Sequence, residues 1–223
     1  MVGTMSFTGF DPTAVALLAE LPAWDADRYS AHKAELSGGL TKPGLALVED
    51  VAGRLDADLT VTGRSSVSPL HRDLRFAPEG SPRYKDHLLL TTWEGDDKRT
   101  APTLWIRMDS ARAGFASGIG FTPEIRERWR TAVGGDAGVD LRAILDRLAA
   151  TRNVDIAGDE VKRVPAPFDD EHPRADLLRK TGFQVRFSED LPASVADPSF
   201  ADWCTDRLEL LLPIHRWLSA QLA

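Results

Sequence analysis

The chain has 223 residues, of which 43% are hydrophobic, and its 34 acidic side chains outnumber 27 basic ones for a formal net charge of -7 at pH 7. That length and apolar content suffice for one core without disulfide or metal staples. The acidic balance argues against sequence-independent binding to nucleic acid or to an anionic membrane. Cys204 is the only cysteine, which excludes an intramolecular disulfide and fits a reducing compartment. Met1 to Asp11 shows neither the basic start nor the apolar run of a signal peptide. No stretch reaches the roughly 20 apolar residues that span a bilayer, so the expectation is a cytoplasmic protein.

The first third reads as helical. Asp11 caps a helix that begins at Pro12 and buries Val15, Leu17, Leu18 and Leu21. A second helix is predicted from Asp25 through Lys33, and a third from about Pro43 to Leu55, with Leu47, Val48, Val51 and Leu55 on one face. The period then changes to two: Leu104, Ile106 and Met108 alternate with Trp105, Arg107 and Asp109. The stretches "YKDHLLLTTW" and "RAGFASGIGF" flank this strand, joined by the loop "EGDDKRT" and a turn at Asp109 and Ser110. An antiparallel meander follows, with no crossover long enough for a doubly wound parallel sheet.

Helices return at Thr122, a cap followed by Pro123 and Glu124, and from about Val139 to Ala150. The Pro-rich "VKRVPAPFDDEHP" leads to a short helix around Arg174 to Lys180, and "GFQVRF" reads as one more strand. The closing helix, capped by Asp197, buries Phe200, Trp203, Cys204, Leu208, Leu211, His215 and Leu218, and Pro213 should kink or split it. The fold class is α+β: a single domain over residues 1–223, its antiparallel sheet meander packed with N-terminal and C-terminal helices. There is no internal repeat and no linker.

The chemistry concentrates in "HRDLRFAPEGSPRYKDHLLL", residues 71 to 90. If residues 70 to 76 are extended, His71, Asp73 and Arg75 point to one side and Leu70, Arg72, Leu74 and Phe76 to the other. A guanidinium drawn toward apolar neighbours needs a carboxylate or backbone carbonyls, which Asp73 cannot supply to Arg72 from the opposite face. One reading is a ligand site in which Arg72, Arg75, Lys85 and Arg107 converge on an anion, with His71 or His87 available for proton transfer. The other is an ion-pair network of Asp73 with the arginines that holds the loop "APEGSPR" to the sheet.

His71 and Asp73, two apart, with His87 or Asp86 nearby, make only a weak metal pattern, and neither a metal nor a cofactor is expected. "GFASGIG" is no nucleophile elbow, because Ser117 falls one position late for G-x-S-x-G, and no dinucleotide fingerprint; its glycines fit a bulge or a close backbone approach. Cys204, on the apolar stripe of a helix, reads as a small core residue. The six tryptophans read mostly as core anchors, with Trp105 beside Arg107 a candidate pocket wall.

The segment "HRDLRFAPEGSPRYKDHL" resembles the R-D-x-R-F, then S/T-P-Y-K and a following His, of the bacterial proteins grouped as Domain of Unknown Function 2461. The resemblance continues through "FTGF", "WDADRYSAHK", "GFASGIGFTPE", "VKRVPAPFDDEHP", "LLRKTGF" and "LLPIHRWL", covering about residues 7–218. It implies a single α+β domain and two residue groups. The first is Arg72, Asp73, Arg75, Phe76, Pro82, Tyr84 and Lys85; the second is Lys162, Arg163, Pro165, His172 and Pro173. Where the family pattern implies S-K-D-K, this chain has Ala77, Pro78, Glu79 and Gly80, with Arg83 inserted between Pro82 and Tyr84. Either Arg83 replaces those lysines or the family's activity is weakened here.

The leading expectation is a small-anion or phosphate-type ligand-binding protein that uses Arg72, Arg75, Tyr84, Lys85, Arg107 and Arg163. The alternatives are a hydrolase, with His71 or His87 as acid or base and Asp73 as orienting group, and a protein-interaction module whose charges form a closed structural network. Whether the chain is an enzyme, and its oligomeric state, are left open by its residues.

Overall fold

The computed structural model describes residues 6–222, so the reading of Met1 to Met5 lies outside the described residues. Asp11 caps α1 (Pro12–Leu17) through its Oδ1, which accepts the Thr13 amide at 2.8 Å. Asp25 does the same for α2 (Ala26–Leu36), accepting the Arg28 amide at 2.8 Å. This helix does not stop as the spacing predicts; a π-helical turn at Ser37–Thr41 carries it into α3 (Lys42–Arg54). Gly39 allows the join, because a Cβ there would lie 2.4 Å from the Ala14 Cβ.

β1 (Leu59–Thr60) and α4 (Gly63–Ser66) follow. The predicted strands are β2 (Leu88–Glu94), β3 (Thr103–Met108) and β4 (Arg112–Gly120). Next come α5 (Pro123–Gly134), capped by the Thr122 hydroxyl, then α6 (Ala137–Ala149), β5 (Asp155–Ala157), α7 (Ala175–Leu178) and β6 (Gly182–Asp190). The closing helix is split as Pro213 requires, into α8 (Ser199–Glu209) and α9 (Leu212–Leu222).

The fold is α+β, with one antiparallel sheet in the order β1-β2-β3-β4-β6-β5. The meander β2-β3-β4 stands as expected, and β6 extends it beyond β4. β5 takes the far edge, pairing Asp155, Ile156 and Ala157 with Arg186, Val185 and Gln184. Leu88, Leu90, Leu104, Ile106 and Met108 are buried, which matches the period-two reading.

The chain divides into two compact units. The first comprises Met1–Thr92, Trp105–Gly114 and Ser188–Asp206, and the second Trp93–Leu104, Phe115–Phe187 and Arg207–Ala223. In the first, α3 lies so close to β2 that a Cβ on Gly44 would sit 3.0 Å from the methyls of Leu88 and Leu90. Phe7, Phe10 and Phe200 form an aromatic cluster with centroids 5.3 to 6.2 Å apart.

The second unit is built around Trp129, wholly buried, whose indole N–H donates to the Leu177 carbonyl at 2.9 Å. Its ring meets Phe183 at 4.7 Å and Trp217 at 5.7 Å. Arg174 satisfies the end of α5, donating to the carbonyls of Val133 at 2.6 Å and of Gly134 and Gly135 at 3.1 Å.

The glycines of "GFASGIG" do allow a close backbone approach. A Cβ at Gly118 would lie 2.5 Å from the Phe183 carbonyl oxygen, whereas a Cβ at Gly120 would meet open space. Gly118→Ala should therefore destabilise the protein by about 1 to 3 kcal/mol and Gly120→Ala by much less. Urea denaturation followed by tryptophan fluorescence checks the contrast; equal midpoints for the two variants would refute it.

Candidate functional site

The charged stretch is held by an antiparallel pairing in the first unit. The Lys85 amide donates to the Leu70 carbonyl at 2.8 Å and the Arg72 amide to the Arg83 carbonyl at 2.9 Å, on either side of the His71–Tyr84 bridge. Tyr84 anchors it: the side chain is buried and its ring stacks on Tyr29 of α2 at 4.2 Å, with an interplanar angle of 2°. His71 sets its ring edge-on to both, at 4.6 and 4.8 Å. Burial, and then the neighbouring Tyr84, push the Tyr29 hydroxyl above the usual phenol range.

The extended run expected over residues 70 to 76 ends at Arg72. The Asp73 carboxylate accepts the Arg75 amide at 3.1 Å, and a turn follows. Asp73 also takes the Arg75 side chain at 3.0 and 2.7 Å. Those guanidinium hydrogen bonds, and then the amide, pull the Asp73 carboxyl down to about 2. Leu74 and Phe76 do not share a buried face with Leu70; they are 48% and 85% exposed. Farther along the loop, the Ser81 amide donates to the Pro78 carbonyl at 3.1 Å, with Gly80 at a φ of +78° in the position where such a turn favours glycine.

Arg72 finds the backbone carbonyl its position called for: Nε donates to Pro82 O at 3.2 Å. Neither Arg72 nor Lys85 has a carboxylate partner among the described residues. Lys85 is half-buried, and burial first, then the Arg72 charge, lower its pKa from the usual ammonium value.

β2 begins only at Leu88, because the chain bends at Asp86 and His87. The bend brings these sequence neighbours together where an extended strand would point them apart: His87 Nδ1 lies 2.6 Å from Asp86 Oδ1. Arg107 of β3 closes on the same pair, its Nη2 lying 3.4 Å from Asp86 and 3.3 Å from His87 Nδ1, while Nη1 donates to Asp109 at 2.9 Å. Burial lowers the His87 pKa despite Asp86, helped by the charges of Arg107 and Lys85. Hydrogen bonding from His87, and then the charges of His87 and Arg107, keep Asp86 ionised below the usual carboxylate range.

Arg72, Tyr84, Lys85, His87 and Arg107 thus occupy one neighbourhood of the first unit. His71 joins it through its ring contacts, while Asp73 and Arg75 are turned to each other in the loop. Arg163 belongs to the second unit, exposed in the segment before His172, whose Nδ1 accepts the Arg174 amide at 3.1 Å. Two contributors escape the sequence reading: Tyr29, which no spacing rule ties to Tyr84, and Asp86 as the partner of His87. Trp105 of β3 is half-buried. Among the described residues, no group of three or more His, Cys, Asp or Glu is placed to hold a metal ion, and no helix is long and apolar enough to cross a membrane.

A search of curated proteins finds no match to the chain. The family model described as "Conserved hypothetical protein (DUF2461)" matches residues 23–217, most of the chain. It spans the Tyr29 stack, the whole charged stretch and Arg107, and the chain belongs to this family.

Proposed function

We propose that the first unit binds a small anion of the phosphate or carboxylate type at Arg72 and Lys85, with the buried Tyr84 holding the pairing that places them and Arg107 committed to Asp86 and Asp109. The observation that carries this reading is that two cations press on one another without an acid to neutralise either. A half-buried ammonium beside a guanidinium is disfavoured unless an anion relieves it, and the pair combines a forked donor with a point charge. Arg75, closed on Asp73, lies outside this reading.

Thermal melting at constant ionic strength, against inorganic phosphate, sugar phosphates, nucleotides and dicarboxylates, tests it. A binding anion at 100 times its Kd should stabilise by about 2.7 kcal/mol. Lys85→Met and Arg72→Met should abolish the rise and Arg75→Ala should keep it. A rise that survives Lys85→Met, or no rise with any anion, overturns the reading. Because the protonated ammonium is the binding form and its pKa is lowered, affinity should fall as pH climbs through a value below the ordinary lysine value of about 10.4. Lys85→Met should lack that alkaline limb.

The His87–Asp86 contact favours a second reading, acid–base hydrolysis of a phosphate or acyl compound. With Nδ1 turned to Asp86, Nε2 is the nitrogen left for proton transfer. Asp86, not Asp73, is the orienting group in this version. Turnover of p-nitrophenyl phosphate or p-nitrophenyl acetate should drop about a hundredfold or more in His87→Gln. The base form of His87 persists to lower pH than usual, so the acid limb should lie below the ordinary histidine value of about 6.5. Turnover unchanged in His87→Gln, or none above the buffer rate, removes this reading.

A further inference from the structure

The second unit contains a separate cavity of about 420 Å³, bounded by the segment after β2, the start of α5 and the end of α9. That volume lies within the range of small-molecule sites. Its walls divide by chemistry: Ala101, Ile125 and Leu222 are apolar, while Glu94 and Asp96 present carboxylates. The other acids of the lining are committed locally. Asp97 accepts the Arg99 amide and guanidinium at 3.0 and 3.2 Å, and Glu124 occupies the first turn of α5. Arg128 also lines the cavity, with its Nη1 donating to the Leu222 carbonyl at 3.0 Å.

A second observation separates this cavity from a mere group of acids. His215 of α9 is 0% exposed and aims Nε2 at the Glu94 carboxylate, 3.2 Å away, yet neither ring nitrogen makes a well-formed hydrogen bond. Glu94 itself is 29% exposed and has no other partner among the described residues. Burial, with the Arg216 charge, lowers the His215 pKa below the usual histidine value against the pull of Glu94. Behind Glu94 is thus an imidazole that favours its neutral form, while Arg128, the cation in the lining, gives its Nη1 to the Leu222 carbonyl.

We propose that this cavity binds an organic cation, a primary ammonium on a short alkyl body, with Glu94 as its counter-ion. Asp96 supplies a second carboxylate, and Ala101, Ile125 and Leu222 cover the alkyl chain. An ammonium brings three N–H donors to a carboxylate, while its methylenes gain from walls that offer nothing to a hydrated metal ion. His215 is a positioning residue. When protonated it would satisfy Glu94 and compete with the ligand, so affinity should fall as pH drops through its lowered pKa.

Calorimetric titration of the full chain with n-butylammonium chloride tests this, with tetramethylammonium chloride and magnesium chloride at matched ionic strength as controls. Saturable binding of n-butylammonium alone is expected, weakened at least tenfold by Glu94→Gln, and with the acid limb of the affinity profile moved to lower pH in His215→Gln, where only the carboxylates titrate. Asp96→Asn, at an exposed position, should weaken it at least threefold and carries the test should Glu94→Gln fail to fold. No saturable binding, unchanged affinity in the carboxylate variants that fold, equal binding of either control, or an acid limb unmoved by His215→Gln overturns the proposal.

Discussion

The burial of Tyr84 is the constraint on which the charged region depends. A phenol ring stacked on Tyr29 and bridged by backbone to His71 cannot move without opening the pairing between the Leu70 and Lys85 segments. That pairing sets Arg72 and Lys85 on adjoining strands, although their charges repel. The apolar and aromatic contacts of the ring, together with the two backbone hydrogen bonds, hold in place an arrangement that electrostatics alone would disperse. An anion would relieve the repulsion without displacing any existing ion pair, since neither cation has one to lose.

The carboxylates of the same stretch are placed for different purposes. Asp73 closes on Arg75 within a turn, and Arg75 is 80% exposed, so the pair shapes the loop while adding little to stability. Asp86 sits between His87 and Arg107 and joins the end of the hairpin to β3. Asp109 receives Arg107 from the other side and also accepts the Ala111 and Arg112 amides. Burial pushes its pKa up, but these amides and the guanidinium leave it lowered overall. Arg107 is thus a cation with two acids, and Lys85 a cation with none. This difference in neutralisation is what distinguishes a structural ion pair from an unmet charge.

Much of the architecture was legible because it rests on local rules. Asp11, Asp25 and Thr122 cap where a short polar acceptor precedes a helix, Pro213 splits the closing helix, and the period-two run of β3 alternates buried and half-buried residues. β1 and β5, at two and three residues, are too short to carry a period, and their pairing partners are distant in sequence. The continuation of α2 into α3 depends on how closely Gly39 approaches Ala14, which propensity does not contain.

At the candidate site, residue types were readable and their pairings were not. An extended reading of residues 70 to 76 assigns Asp73 and Arg75 to one face, yet a turn makes them partners and turns Phe76 to solvent. A strand over residues 84 to 93 separates Asp86 from His87, yet a bend joins them. In both cases a backbone departure of one or two residues changes which charge meets which. His215 was readable only as a core position, because its contact with Glu94 crosses more than a hundred residues of sequence.

The net charge of -7 bears on an anion site in a way that depends on salt. At physiological ionic strength the screening length is about 8 Å, so the distant acids of the surface are largely invisible to a ligand already beside Arg72 and Lys85. At low salt the same acids repel an approaching anion and slow its association. For the proposed anion, half-burial of Lys85 would protect the contact from much of the screening that weakens exposed pairs. Raising the salt from very low levels should therefore relieve the long-range repulsion before it erodes the short-range attraction. Asp73 and Arg75, whose side chains are 49% and 80% exposed, have no such shelter.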